Sequence, residues 1–175
     1  MQSSADVLSA LDLDGGLERL KSLMRIPSIS TDPAFRGECH RAATFVQRQF
    51  RGMGFEVRLI KTKGHPLVYA EWLGAPGKPT VLFYGHYDVQ PPDPLELWTS
   101  PPFEPEVRRG RLYGRGATDD KGQFWAHVEA LGAIMKVRRK LPVNVKFLGR
   151  CSETTSIGRS FSRSPRARIH SEGQA

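Results

Sequence analysis

The sequence has little cysteine and no long apolar stretch, and these shortages exclude several classes of protein. Only two of its 175 residues are cysteines, Cys39 and Cys151, and they lie far apart without a CxxC spacing. This pattern predicts two free thiols in a reducing compartment rather than a disulfide framework. No apolar run approaches the ~20 residues that cross a bilayer. The first residues carry several aspartates and lack the apolar segment of a secretory signal. We therefore predict a cytoplasmic protein with no membrane partner.

The chain is basic, with a formal net charge of +8. Five arginines and only two glutamates fall within residues 149–175, and elsewhere basic and acidic residues are mixed. No stripe of Arg or Lys alternates with aromatic residues, as a nucleic-acid surface would require. The charge pattern therefore predicts no nucleic-acid partner.

Hydrophobic periodicity divides residues 8–148 into helices and strands. Helical spacing covers 8–24, with a break near Gly15 and Gly16, and recurs over 39–50 and 120–137. The remaining apolar patterns predict strands at 55–59, 67–72, 81–84 and 142–148, and a hairpin around Arg109-Gly110. The continuous run at 81–84 is typical of a strand buried on both faces. Helices that alternate with strands indicate an α/β domain.

The last part of the chain differs from the rest. Residues 149–175 contain six serines and five arginines and show neither a helical nor a strand period. This composition predicts a disordered tail. We therefore expect a folded part over 1–148 and an Arg/Ser-rich tail over 149–175.

A first candidate site follows the apolar strand at 81–84. His86 and Asp88 lie two residues apart, so a locally extended chain points both side chains to one face. Ligands of open α/β sheets gather at the carboxyl ends of strands. A metal-bound histidine commonly has its second ring nitrogen held by a carboxylate. A hydrogen-bonded histidine without a metal is the alternative that this motif alone leaves open.

A second candidate site precedes the predicted helix at 120–137. Glycines bracket the adjacent carboxylates Asp119 and Asp120 in the run Gly114 to Gly122. Adjacent like charges are costly unless a cation offsets them, and carboxylate with imidazole suits zinc. Asp120 could instead cap the helix. Spacing alone does not decide between a metal site and a cap.

Together, these two motifs and the loop between them resemble a known enzyme family. The runs His86 to Pro91, Trp98 to Phe103 and Gly114 to Gly122 are similar to the zinc peptidase family of carnosinases, aminoacylases, acetylornithine deacetylases and glutamate carboxypeptidases. The pattern is most similar to the dipeptidase branch, and the similarity covers about residues 10–148. The expected fold is the amino-terminal part of that family's catalytic domain, a mostly parallel mixed sheet flanked by helices.

The resemblance assigns roles to three residues. It implies that His86 binds one zinc ion, that Asp119 bridges two zinc ions, and that Asp88 is the catalytic-site residue that orients His86. It also implies a non-proline cis peptide bond between Asp119 and Asp120. The family reaction is amide hydrolysis assisted by two metal ions, with dipeptides or N-acyl amino acids as the substrate class.

The sequence departs from the family pattern after the strand at 142–148. The family places there a glutamate-rich loop of the form E-G-x-E-E, whose glutamates serve as general base and zinc ligand. Here Thr155 and Ser156 stand at those places, and Glu153 does not match in register. Nothing after Ser156 resembles the family's later half, which supplies further ligands and a dimerisation domain. His170, in the Arg/Ser-rich tail, is not expected to replace a ligand.

The simplest hypothesis is a truncated or frame-shifted gene product that is inactive alone, and the alternative is a genuine short variant with its own partner. For the function, the alternative is a non-catalytic fragment or a weak metal-binding module without hydrolase activity. Because His86 and Asp119 are the only expected ligands, we predict one weakly bound zinc ion or none. A sheet that lacks strands would expose apolar edges and lower solubility.

Overall fold

The computed structural model describes residues 3–151. Most of the predicted tail, including Thr155, Ser156 and His170, lies outside these residues. The helices are α1 (Ser4–Ser9), α2 (Leu13–Met24), α3 (Arg36–Gly52) and α4 (Lys121–Arg138). The strands are β1 (Glu56–Ile60), β2 (Leu67–Trp72), β3 (Thr80–His86), β4 (Glu106–Arg108), β5 (Arg111–Tyr113) and β6 (Asn144–Arg150).

Four of these strands form one mixed sheet in the order β1-β2-β6-β3. β1 pairs antiparallel with β2, β2 pairs antiparallel with β6, and β6 pairs parallel with β3. β4 and β5 form a separate hairpin. The α/β class and the mixed sheet flanked by helices are therefore confirmed. The expected majority of parallel pairings does not occur among the described strands, because β1 and β2 add two antiparallel ones.

Helices α3 and α4 enclose the core against the sheet. Phe50 of α3 stacks on Phe147 of β6 with ring centroids 4.5 Å apart, and Phe124 of α4 lies 5.7 Å from the same ring. All three side chains are buried. Each contributes roughly 1.5–3 kcal/mol by leaving water. Both helices thus cover the same face of the sheet. Their packing against Phe147 fixes how α4 lies relative to β3.

The break between the amino-terminal helices lies earlier in the chain than predicted. Gly15 and Gly16 lie inside α2, and the chain breaks earlier, between α1 and α2. Asp12 accepts a hydrogen bond from the Gly15 backbone nitrogen at 3.0 Å and so caps α2. Here the side-chain cap at Asp12 sets the start of α2, and the two glycines after it do not interrupt the helix.

Strand β3 corrects a second prediction. Residues 81–84 do form a strand, but Leu82 is 54% and Tyr84 52% exposed. β3 pairs only with β6 among the described strands, and α4 covers only the face on which Phe83 lies against His127. Among the described strands, β3 is therefore an edge strand with one apolar face exposed to solvent. This exposure agrees with the prediction that a sheet lacking strands exposes apolar edges.

Strand β6 passes the predicted domain boundary at 148. It continues through Gly149 and Arg150, and Cys151 beyond it is fully buried. No helix among residues 3–151 is both long enough and apolar enough to span a membrane.

Candidate metal centre

The first predicted motif lies where β3 ends. His86 is the last residue of the strand, and Asp88 follows in the loop. A cavity of about 210 Å³ opens at this edge of the sheet. The predicted residues His86, Asp88 and Asp119 all line it, together with Tyr84, Val89, Gln90, Arg115 and Arg150. The fold therefore brings together two motifs that lie more than thirty residues apart.

The histidine ring stands between the two carboxylates. Its Nε2 lies 2.8 Å from Oδ1 of Asp119, and its Nδ1 lies 3.3 Å from Oδ1 of Asp88 and 3.2 Å from the Asp88 carbonyl oxygen. The Asp119 side chain is 82% exposed, whereas that of Asp88 is only 2% exposed. One ring nitrogen thus faces the cavity, and the other faces the interior.

Ser30 holds the inner carboxylate and was not singled out by sequence reasoning. Its hydroxyl donates a hydrogen bond of 2.6 Å to Oδ2 of Asp88. The two residues meet because an isolated parallel bridge joins Ile29 to Val89. Ser30 lies in a segment that reads only as a loop, so no local pattern signals this contact.

The two carboxylates change the protonation of the histidine. The pKa of His86 rises to about 9, mainly because of its hydrogen bond to Asp88. The hydrogen bond to Asp119 raises the pKa further, and together the two bonds outweigh the lowering by burial. The metal-free ring therefore carries a proton at neutral pH. A metal ion must displace this proton from the nitrogen that it binds.

Asp120 positions the backbone of β3. The Asp119–Asp120 peptide bond is cis, as the resemblance implied. Asp120 stands at the N-cap position of α4, but its side chain makes no capping hydrogen bond. It accepts one from the His86 backbone nitrogen at 2.9 Å instead. A Cβ on Gly85 would lie 2.9 Å from the Asp120 carboxylate and 2.7 Å from Phe124, so glycine permits this close approach.

Lys121 anchors the start of α4 below the site, and sequence reasoning missed it as well. The side chain is fully buried, and its Nζ donates to the carbonyl oxygens of Leu23 at 3.1 Å and Ile26 at 2.8 Å. Burial lowers its pKa to about 7. The lysine therefore ties α4 to the end of α2, which fixes where Asp119 and Asp120 emerge.

A larger cavity of about 390 Å³ lies on another side of the molecule, between α2, α3 and α4. Three of its charged lining residues are paired with one another, because Arg19 contacts Glu129 at 2.7 Å and Asp12 at 3.1 Å. Size alone therefore does not identify the functional site.

The donor set beside His86 fits zinc. Imidazole and carboxylate are zinc donors, and here they meet at the cavity while a second carboxylate holds the inner ring nitrogen. His86 and Asp119 supply two of the three or four protein ligands that zinc sites normally use.

The comparisons with known proteins agree with this geometry. Residues 82–163 match the model of "Peptidase family M20/M25/M40", so this match extends beyond residue 148, where the resemblance was expected to end. The chain is 34% identical to the "Beta-Ala-His dipeptidase" of Rattus norvegicus over 151 residues, which cover 79% of this chain and 31% of that protein. It is also 34% identical to the "Cys-Gly metallodipeptidase dug1" of Schizosaccharomyces pombe over 143 residues, covering 75% of this chain and 30% of that protein.

The fold matches as well. The crystal structure of human carnosine dipeptidase 1 superposes with a TM-score of 0.79 and 34% identity, covering 86% of this chain and 35% of that one. The chain thus spans about a third of the length of these relatives, which fits the amino-terminal part that was expected. In sequence and in fold, this chain is therefore similar to part of the metallodipeptidases, and residues 82–163 match the model of a peptidase family.

Proposed function

We propose that this chain carries the His86–Asp88–Asp119 part of the metal centre of a zinc-dependent, dipeptidase-like amide hydrolase. The observation that supports it most directly is the 2.8 Å approach of His86 Nε2 to Asp119 Oδ1 at the carboxyl end of β3. Similarity to the peptidase family supports a peptidase-like activity, and the names of the two dipeptidase relatives support dipeptides as the substrate class.

Each residue has a defined task in this proposal. His86 and Asp119 hold zinc, and Asp88 orients the imidazole through its inner nitrogen while Ser30 fixes the carboxylate. Zinc, when bound, supplies Lewis acidity for hydrolysis of an amide. Arg115 and Arg150 line the same cavity, and their charge suits the carboxylate of a dipeptide.

The chain alone is proposed to be inactive. Neither Thr155 nor Ser156, which stand where the family has glutamates, can act as a general base at neutral pH. His86 and Asp119 alone give weak zinc affinity. A non-catalytic chain that binds metal weakly is the second candidate, and the same two departures favour it.

Zinc-dependent hydrolysis of a dipeptide panel tests both candidates, with circular dichroism to verify folding and Asp119→Ala as the matched variant. Folded, zinc-loaded wild-type chain without activity supports an incomplete centre. Activity that Asp119→Ala abolishes would support the hydrolase and contradict inactivity. Zinc binding that neither His86→Ala nor Asp119→Ala weakens, measured in a Cys39→Ser/Cys151→Ser background, would overturn the ligand assignment.

A further inference from the structure

A second group of metal-ligating side chains lies inside the fold. Cys39, His65 and Cys151 each offer one donor atom, and these three atoms lie within 4.8 Å of one another. The two cysteines are fully buried, and His65 is 6% exposed. Sequence reasoning treated the cysteines as two unrelated thiols, because 112 positions of chain separate them and His65 belongs to neither predicted site.

Three different elements deliver these side chains. Cys39 lies in the first turns of α3, His65 in the loop between β1 and β2, and Cys151 directly after β6. β2 pairs with both β1 and β6, so the sheet register itself brings the loop and the strand end to one place. The sheet register therefore fixes the position of Cys151 and of both ends of the β1–β2 loop, and His65 is a buried residue of that partly exposed loop.

The histidine is held in a way that suits a ligand. Its Nε2 lies 3.1 Å from the Ser30 carbonyl oxygen, and the Thr62 hydroxyl donates to the His65 carbonyl oxygen at 2.7 Å. When Nε2 donates its proton to a backbone carbonyl, the lone pair lies on Nδ1. This backbone contact is the arrangement that commonly fixes the tautomer of a metal-bound histidine.

The thiols already interact with each other. The hydrogen bond from Cys151 is the main cause that lowers the pKa of the Cys39 thiol, and the buried ammonium of Lys121 acts in the same direction. The Ser30 hydroxyl also contacts the Cys151 thiol, so an oxygen borders the cluster. The same hydrogen bond, together with burial, raises the pKa of the Cys151 thiol, so the metal-free surroundings favour a thiolate at Cys39 and a thiol at Cys151.

We propose that Cys39, His65 and Cys151 form a second, buried zinc site, separate from the centre at His86 and independent of the proposed hydrolase function. Thiolate and imidazole donors select soft or borderline ions such as zinc. Tetrahedral zinc holds two thiolate sulfurs roughly 3.8 Å apart, given Zn–S distances of about 2.3 Å. From at most 4.8 Å, the two sulfurs therefore need to close by at most about 1 Å.

Charge balance favours a divalent ion in this place. Two thiolates, one neutral imidazole and Zn²⁺ sum to zero, and a neutral complex avoids the large cost of an unpaired charge in a dry interior. Binding releases two thiol protons to solvent and changes no oxidation state. Bound zinc would join α3, the β1–β2 loop and the end of β6.

Cobalt substitution tests the proposal on the full chain, with the thiols kept reduced by a phosphine. Co²⁺ held by thiolates gives an intense sulfur-to-metal charge-transfer band in the near ultraviolet, whereas the His86–Asp119 centre contains no sulfur. We expect this band in wild-type chain and its displacement by Zn²⁺. Folded wild-type chain that binds Co²⁺ without the band would overturn the proposal, and this arm needs no variant.

Matched variants locate the band. Cys39→Ser and Cys151→Ser should each abolish it, and His65→Gln should weaken cobalt binding at least tenfold. The double variant His86→Gln/Asp119→Asn should keep it, even if the proposed hydrolase centre fails. A band that survives in either cysteine variant, or that disappears in the double variant while circular dichroism shows a folded chain, would contradict the assignment.

Discussion

The two groups of metal-ligating side chains differ in depth and in donor chemistry. The group at His86 opens to a cavity, and its Asp119 side chain is 82% exposed. The group at Cys39 is buried, with its two cysteines fully buried and His65 6% exposed, and it carries sulfur donors. An open site can exchange water and substrate, whereas a closed site can only hold a metal in place. Exposure therefore indicates which group suits catalysis and which suits stabilisation.

Asp88 and Ser30 lie where the two groups meet. The Asp88 carboxylate contacts His86 on one side and the Ser30 hydroxyl on the other, and the Ser30 carbonyl oxygen faces His65. The field of Asp88 also reaches Cys39 and Cys151. One buried carboxylate thus borders both regions, and changing it is the most direct way to test whether they are separate.

The largest effect is expected for Asp88→Ala. The change removes the acceptor of the Ser30 hydroxyl and leaves His86 without its inner carboxylate, which should lower the free energy of unfolding by about 3 kcal/mol. Urea denaturation in EDTA measures this loss. Asp14→Ala removes an exposed carboxylate and is the control that should change little. A loss no larger than the control's would mean that Asp88 does not support either region.

A smaller effect is expected in how the free energy of unfolding depends on pH, and it concerns the group at His86. Because Asp88 and Asp119 raise the pKa of His86 to about 9, the protonated ring stabilises the metal-free fold. This contribution is complete below pH 6.5 and is lost as the pH rises through 9. We expect about 2 kcal/mol, reduced for partial solvent exposure.

Urea denaturation of wild type and His86→Gln in EDTA, from pH 6 to pH 10, measures this contribution as a difference. The difference should be greatest at the acidic end and decline above neutrality. His40→Gln, at an exposed histidine, is the matched control. A difference that grows with pH would contradict the assigned direction. Saturating zinc should reverse the direction, because zinc competes with the proton and binds His86 more strongly as the pH rises.

The smallest effect is expected for Asp119→Asn. Its side chain is largely exposed, and exposed ion pairs contribute less than about 1 kcal/mol, so the metal-free chain should keep its stability. Zinc binding at His86, measured by calorimetry in the Cys39→Ser/Cys151→Ser background, should nevertheless be lost. A large loss of stability in EDTA would mean that the group at His86 supports the core. It would contradict the conclusion that this group is open and the group at Cys39 is structural.

Much of the open site could be predicted because its signals are local. His86 and Asp88 alternate at a strand end, and Asp119 and Asp120 precede a helix, so each pair is legible within a few residues. The position of β3 at an exposed edge could not be predicted, because the apolar run at 81–84 has the same pattern whether one face of the strand or both are covered. Tertiary contacts decided that difference.

By itself, the sequence determined the α/β class, the elements and the two motifs, because periodicity and turn chemistry act over short stretches of chain. The tertiary structure alone decided which distant residues meet. Ser30 reaches Asp88 through a parallel bridge, and Lys121 reaches the end of α2. The pairing of β2 brings His65 and Cys151 to one place, where Cys39 of α3 meets them. Such contacts join residues with no common period, so only the folded chain specifies them.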